Sequence, residues 1–218
     1  MKTPRTTEEI EKIRETILDR ALDIIVEFGL DGLTMRALAS RLDMSAPNIY
    51  NFFSGKDELY LSLMVKGGIM LNQMMTQAWS STSNTMDRAR AMIAAYLRFG
   101  IEQPRYYEIM FILPPPSYTQ YVGTPNEQLS ASEYEISLDT IRLVSAITAE
   151  ISGESSDSHT VQRRMFQLWS LLHGMIALHN NAVADFATGN VMAAMEKTVE
   201  ELMLLLEWMA ATAAKQAP

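Results

Sequence analysis

Apolar residues recur along this chain at three- and four-residue steps. Ile10, Ile13, Ile17, Ala21, Ile24, Ile25 and Phe28 form one such stripe, which predicts a helix with a single buried face. Thr6 or Thr7 can cap its start, and Glu8 and Glu9 fall in the first turn, where the helix dipole favours carboxylates. Gly29 suits the position just past its end. A tight connection at 30–33 leads to Thr34, which can cap a short helix over 35–42. A turn at 43–45 comes next. Ser45 is then expected to cap a third helix reaching about Phe53, and Lys56 opens a longer one reaching about Trp79.

The same period continues. A polar break at 80–85 precedes a helix from about Met86 to Glu102, and the segment 104–113 reads as another short one. Residues 114–128 begin with three consecutive prolines and include Gly-Thr-Pro, so a loop is expected. A helix over about 129–151 comes after it, then a break rich in serine. Two strongly apolar helices close the pattern at about 159–182 and 190–213, separated by Asp-Phe-Ala-Thr-Gly-Asn. Strand-like alternation and internal repeats are both missing. The expected fold is all-α, with about nine helices.

Composition narrows the function. The chain has 218 residues, enough for one or two domains with a real core, and 48% of them are hydrophobic. It has no cysteine, which excludes disulfides and thiolate metal sites and fits a reducing cytoplasm. The first twenty residues are charged and lack the apolar core of a signal peptide. No stretch approaches the roughly 20 apolar residues of a membrane span, so no membrane role is expected. His173 and His179 are six positions apart and share no helix face, so no metal site is expected. Ser170 near His173 has no third group or oxyanion donor to complete a catalytic set. No cofactor is expected, and the chain does not read as an enzyme.

The net charge of −8 argues against broad attraction to nucleic acid. Even residues 1–60 carry eight Lys/Arg against eleven Asp/Glu. Any DNA contact must therefore rest on a few positioned groups. The first sixty residues supply such a set. A helix, a short turn and a second helix form the unit whose second helix enters the major groove. It needs a small residue where the helices cross, which Ala39 supplies, and a turn residue tolerant of left-handed backbone, which Asp43 supplies. Leu38, Leu42, Met44, Ile49 and Phe53 then face inward, leaving Ala46, Pro47, Asn48, Tyr50 and Asn51 outside. Ala46, Pro47 and Asn48 are placed to reach base edges. Thr34, Tyr50, Asn51 and the backbone N–H groups opening the fourth helix are placed to hold phosphates, with Lys56 adding charge. Arg36 can reach either backbone or base.

The segment LTMRALASRLDMSAPNIYNFFSGKDELY resembles the helix-turn-helix of tetracycline-repressor (TetR) family regulators, with Thr34, Ser45, Tyr50, Phe53, Lys56, Asp57 and Leu59 at matching positions. Asp43 stands where that family usually has glycine. PRYYEIMF at 104–111 is similar to a segment of the family's ligand domain. LWSLLHGMIAL resembles a C-terminal subfamily named for a Trp and a His-Gly, here Trp169, His173 and Gly174. The resemblance implies a homodimer that binds a palindromic operator in double-stranded DNA and releases it when a small molecule enters the larger domain. It implies a DNA-binding domain over 1–55 and a ligand-binding and dimerisation domain over 56–218. Met74, Tyr96, Phe99, Tyr106, Met110, Trp169 and His173 are the candidates to line the effector site. Leu168, Leu172 and Ile176, with Val199, Leu202 and Leu206, are the candidates for the dimer interface. The rival expectation is an all-α small-molecule binder or enzyme with a buried hydrophobic site and no DNA role.

Overall fold

The computed structural model describes residues 5–114 and 118–216, and the regular structure among them is helical throughout. The elements are α1 (Thr7–Gly32), α2 (Met35–Arg41), α3 (Ala46–Tyr50), α4 (Lys56–Ser80), α5 (Thr85–Glu102), α6 (Pro104–Tyr107), α7 (Glu127–Ser152), α8 (His159–Asn180), α9 (Val183–Thr188) and α10 (Val191–Gln216). A π-helical turn, Glu108–Ile112, continues α6, and a 3₁₀ turn occupies Tyr118–Gln120. Of the three prolines expected in the loop, Pro115 and Pro116 lie outside the described residues. The expected boundaries hold closely, with two exceptions. α3 stops at Tyr50 rather than Phe53, and the stretch expected only to separate the last two helices contains α9.

The chain divides into two compact units. The first joins the residues up to Ile69 with Arg105–Ile136. Thr6 starts α1 with a reciprocal cap: its hydroxyl accepts the Glu9 N–H at 3.2 Å, and the Glu9 carboxylate accepts the Thr6 N–H at 2.8 Å. Ile17, Leu18, Ala21, Leu22, Ile24 and Ile25 are buried. Each leucine or isoleucine so buried contributes about 1.5–3 kcal/mol. The stripe is shorter than its period predicts: Ile10 is 39% exposed and Phe28 64%. The reason at the far end is Gly29, whose φ of 72° and ψ of 176° interrupt the helical backbone. Beyond it a single turn carries the chain to Leu33, whose N–H donates to the Leu30 carbonyl at 3.2 Å. Asp19 and Asp23 of α1 pair with Arg105 of α6, and Glu15 pairs with Lys66 of α4. Desolvation works against the charge on Asp23, yet hydrogen bonds from Arg20 and Arg105 hold its carboxyl below the usual range. Tyr60, only 2% exposed, donates to the carbonyl of Ile109 in the π turn at 3.4 Å. Burial, with Tyr121 and Glu133 nearby, pushes its phenol up to about 12.

The second unit joins Met70–Pro104 with the residues from Ser137 onward. Its core takes Met92, Ile93, Tyr96 and Phe99 from α5, Ile147 and Ile151 from α7, Val161, Leu172 and Ile176 from α8, and Met195, Leu202, Met203 and Leu206 from α10. α5 and α8 approach closely at Gly100, where a Cβ would stand 2.6 Å from two carbons of Ile176. Asn180 secures the same contact by donating to the Gly100 carbonyl at 3.1 Å. Asn84 caps α5 by accepting from Met86 and Asp87, and Arg88 pairs with Glu150 across to α7 while lying 4.3 Å from the Trp79 ring. No described helix is long and apolar enough to cross a membrane.

Candidate nucleic-acid interface

α2, α3 and the turn between them are fixed by local chemistry. The Thr34 hydroxyl accepts the Ala37 N–H at 3.0 Å and so opens α2. Leu38 and Ala39 are buried. The chain then reverses through Asp43 at φ 52°, the left-handed conformation expected of it. The Met44 N–H donates to the Ala39 carbonyl at 2.9 Å, locking the turn. Ile49 and Phe53 are buried behind α3, at 0% and 1% exposure.

Ser45 departs from expectation. It occupies the cap position of α3, but its hydroxyl makes no capping hydrogen bond. Neither position it would serve offers a free donor. Pro47 has no N–H, and the Asn48 N–H donates instead to the Ser45 carbonyl at 2.9 Å. The hydroxyl is left at the exposed head of the helix, beside the proposed base-reading residues.

The outward face has the composition that the sequence predicts. Thr34, Arg36, Ser45, Pro47, Tyr50, Asn51 and Lys56 are exposed, and Ala46 and Asn48 are half-buried. The basic residues of this region divide into two sorts. Arg41 grips Glu27 through both nitrogens, at 3.1 and 2.8 Å, and hydrogen bonding and charge across that pair raise the Arg41 pKa while lowering that of Glu27. Arg20 is held by Asp23 at 2.8 Å. Arg36 and Lys56, among the described residues, have no carboxylate within ion-pairing distance, which leaves both available to a phosphate. Ser54 precedes α4, and its N–H donates to the Glu58 carboxylate at 2.7 Å.

The residues expected to line an effector site do not gather in one place. Tyr96, Trp169 and His173 meet in the second unit: the Trp169 indole N–H donates to the Tyr96 hydroxyl at 2.9 Å, which lies 3.2 Å from His173 Nδ1. Phe99 is fully buried and Met74 half-buried in that unit. Trp169 is not a core residue, being 48% exposed. Tyr106 and Met110 belong to the first unit, where they pack against Gly67. A groove of about 500 Å³ does exist between α5 and α10, lined by Ala94, Leu97, Ile101, Met192, Met195 and Val199, with Arg90, Arg98, Glu102, Glu196 and Glu200 around them. None of the seven expected residues lines it. Among the described residues no group of His, Asp and Glu could hold a metal ion.

The expected interface residues lie mostly inside. Leu172, Ile176, Leu202 and Leu206 are 5%, 0%, 9% and 8% exposed, so they belong to the core of the second unit. Leu168 and Val199 are half-buried. The stripe picked out by period is the one that covers the unit's interior. Large apolar residues remain exposed on both helices: Phe166, Trp169, Leu171 and Leu178 on α8 and Leu204, Leu205 and Trp208 on α10. Sequence periodicity also gives no sign of Arg14 and Arg105, whose partners lie far along the chain.

Comparison with known proteins places this geometry. Residues 17–63 match the family model of bacterial regulatory proteins of the tetR family, and residues 89–203 match that of the tetracyclin repressor-like C-terminal domain. The chain is 30% identical over 111 residues to the helix-turn-helix-type transcriptional regulator YobS of Bacillus subtilis, a match that spans 50% of this chain and 57% of that one. It is 30% identical over 98 residues to the transcriptional activator FasR of Mycolicibacterium smegmatis, 45% of each. Its fold is shared by the regulator FadR of Bacillus subtilis solved in complex with stearoyl-CoA, with a TM-score of 0.61, 15% identity, and coverage of 87% and 96%. These relatives are transcriptional regulators, a class without enzymatic activity. The two family models between them take in the helix-turn-helix and most of the larger helical region C-terminal to it, and the chain belongs to the TetR family of DNA-binding transcriptional regulators.

Proposed function

We propose that this chain is a homodimeric repressor that binds a palindromic operator and releases it on binding a small apolar or amphipathic molecule. The observation that carries the DNA-binding half is the outward face of α3: Pro47, Tyr50 and Asn51 exposed and Asn48 half-exposed, with Ile49 and Phe53 sealed behind them. Asn48 offers the donor–acceptor pair that suits adenine. Thr34, Tyr50, Asn51 and Lys56 flank it as phosphate contacts, and Ser45 adds an uncommitted hydroxyl. A twofold dimer would present two copies of α3 about one helical turn apart, roughly 34–36 Å, which requires a two-part operator.

The dimer reading rests on the large apolar residues left exposed on α8 and α10. Phe166, Leu204 and Trp208 are 67%, 64% and 65% exposed, an uncommon outlay of large apolar surface for a monomer. The effector reading draws on the stearoyl-CoA bound to the FadR relative and on the apolar floor of the groove between α5 and α10. The relative FasR is named as an activator, so a positively regulated target is the second reading.

The test begins with duplexes selected by the chain from a random-sequence pool. Asn48→Ala is expected to weaken binding to the selected duplex by about 1–3 kcal/mol and to relax preference at one position of each half-site. Tyr50→Phe should cost about 1 kcal/mol, with little change in sequence preference. Gel-shift titration measures both. Wild-type affinity in both variants would remove the proposed recognition face. Transcription from a promoter carrying the selected duplex, with and without the protein, separates repression from activation.

A further inference from the structure

Arg14 is a basic residue in the DNA-binding region that sends its charge inward. Its side chain is 31% exposed, and among the described residues it meets Phe52 and Phe53, on the segment that joins α3 to α4, and Glu58, in the first turn of α4. One guanidinium nitrogen donates to the carbonyl of Phe52. The guanidinium carbon stands 4.1 Å from the centre of the Phe53 ring, and the second terminal nitrogen is 3.8 Å from the Glu58 carboxylate. Glu58 in turn accepts the Ser54 N–H through its other oxygen. A single side chain of α1 thereby holds residues 52, 53 and 58 directly, and 54 through one intermediary. The two ends of this segment carry Tyr50 and Asn51 on one side and Lys56 on the other.

We propose that Arg14 is a positioning residue for DNA recognition: it sets the register between the recognition helix and the start of α4, and it makes no phosphate contact of its own. The proposal rests on α3 being the reading helix. The geometry demands arginine. The planar guanidinium stacks on Phe53 while its separate nitrogens serve a carbonyl and a carboxylate, and a lysine ammonium cannot do all three. Loss of Arg14 frees the segment between α3 and α4, so the phosphate contacts at its two ends cease to fix α3 in one register. Sequence preference falls, and the count of phosphates neutralised does not.

The experiment compares wild type, Arg14→Lys and Arg14→Gln on the duplex that the wild-type chain selects from a random-sequence pool and on an unrelated duplex of equal length, across a salt series. Both variants are expected to lose roughly tenfold or more in affinity for the selected duplex, the scale of one lost base contact, with little change on the unrelated one. The slope of log affinity against log salt should stay within a few tenths of wild type on the unrelated duplex. Full affinity and preference in Arg14→Lys would overturn the proposal, because charge alone would then suffice. So would a slope smaller by about 0.9, the mark of one lost phosphate contact. A variant that melts earlier yet keeps the full preference in its folded fraction assigns Arg14 to stability and overturns it too. A wild-type chain that selects no sequence overturns α3 as the reading helix and the proposal with it, whereas a preference shared equally by the variants overturns only the role of Arg14.

Discussion

Two hydroxyl residues at equivalent cap positions behave differently, and the difference lies in their neighbours. Thr34 faces an ordinary Ala37 N–H and bonds it, whereas Ser45 faces Pro47 and an Asn48 N–H already spent on a carbonyl. Thr34→Ala is therefore expected to lower stability by about 1 kcal/mol, read as a shift in denaturant midpoint, while Ser45→Ala should leave stability nearly unchanged. Asp43 could be assigned its left-handed turn from sequence because few residue types accept that backbone. The idle hydroxyl of Ser45 could not, since hydrogen-bond competition within one turn is settled by geometry. Tyr60 makes a separate prediction. Its folded phenol holds its proton up to about pH 12, whereas an unfolded tyrosine releases it near pH 10. The neutral phenol's contribution is fully present below about pH 10 and is lost as pH rises through about 12. Denaturant titrations across that window should show stability falling with pH, and Tyr60→Phe should remove part of the slope.

Helix positions were the most readable feature of the chain, because a 3.6-residue period reports directly on burial. Which of two apolar faces turns inward was less readable. α8 and α10 are apolar on more than one side, and period alone does not say which face meets the core of their unit. The stripe containing Leu172, Ile176, Leu202 and Leu206 went inside, and the aromatic-rich face stayed out. Links between distant segments left no local pattern at all: Arg14 meets Phe52 across 38 positions, and Arg105 meets Asp19 across 86. The close crossing of α5 and α8 gives a prediction at this level. Gly100→Ala should cost about 1–3 kcal/mol, because the β-branched Ile176 has little room to move aside. On an Ile176→Ala background the added penalty should shrink markedly, and equal penalties on both backgrounds would refute the steric account.

For the assembled protein, the exposed aromatic and aliphatic faces of α8 and α10 make oligomeric state the decisive observable. Leu204→Glu combined with Trp208→Glu is expected to turn a dimer into a monomer in sedimentation velocity at micromolar concentration. Affinity for a two-part duplex should fall at least tenfold, with little effect on a single half-site. A dimer unaffected by both charges would place the interface elsewhere.

The division of the chain also bears on engineering. The compact unit that holds the helix-turn-helix is built from two separate stretches, the second running from Arg105 to Ile136. A chimera that grafted only the first seventy residues onto another regulator would discard the Ile109 carbonyl that satisfies Tyr60 and one of the two arginines that pair with Asp19 and Asp23. The transplanted reading head would carry a buried phenol without its acceptor, and Asp19 and Asp23 would be left to share Arg20. Swapping specificity between such proteins calls for moving both stretches together, or for rebuilding α1 and α4 to live without the second.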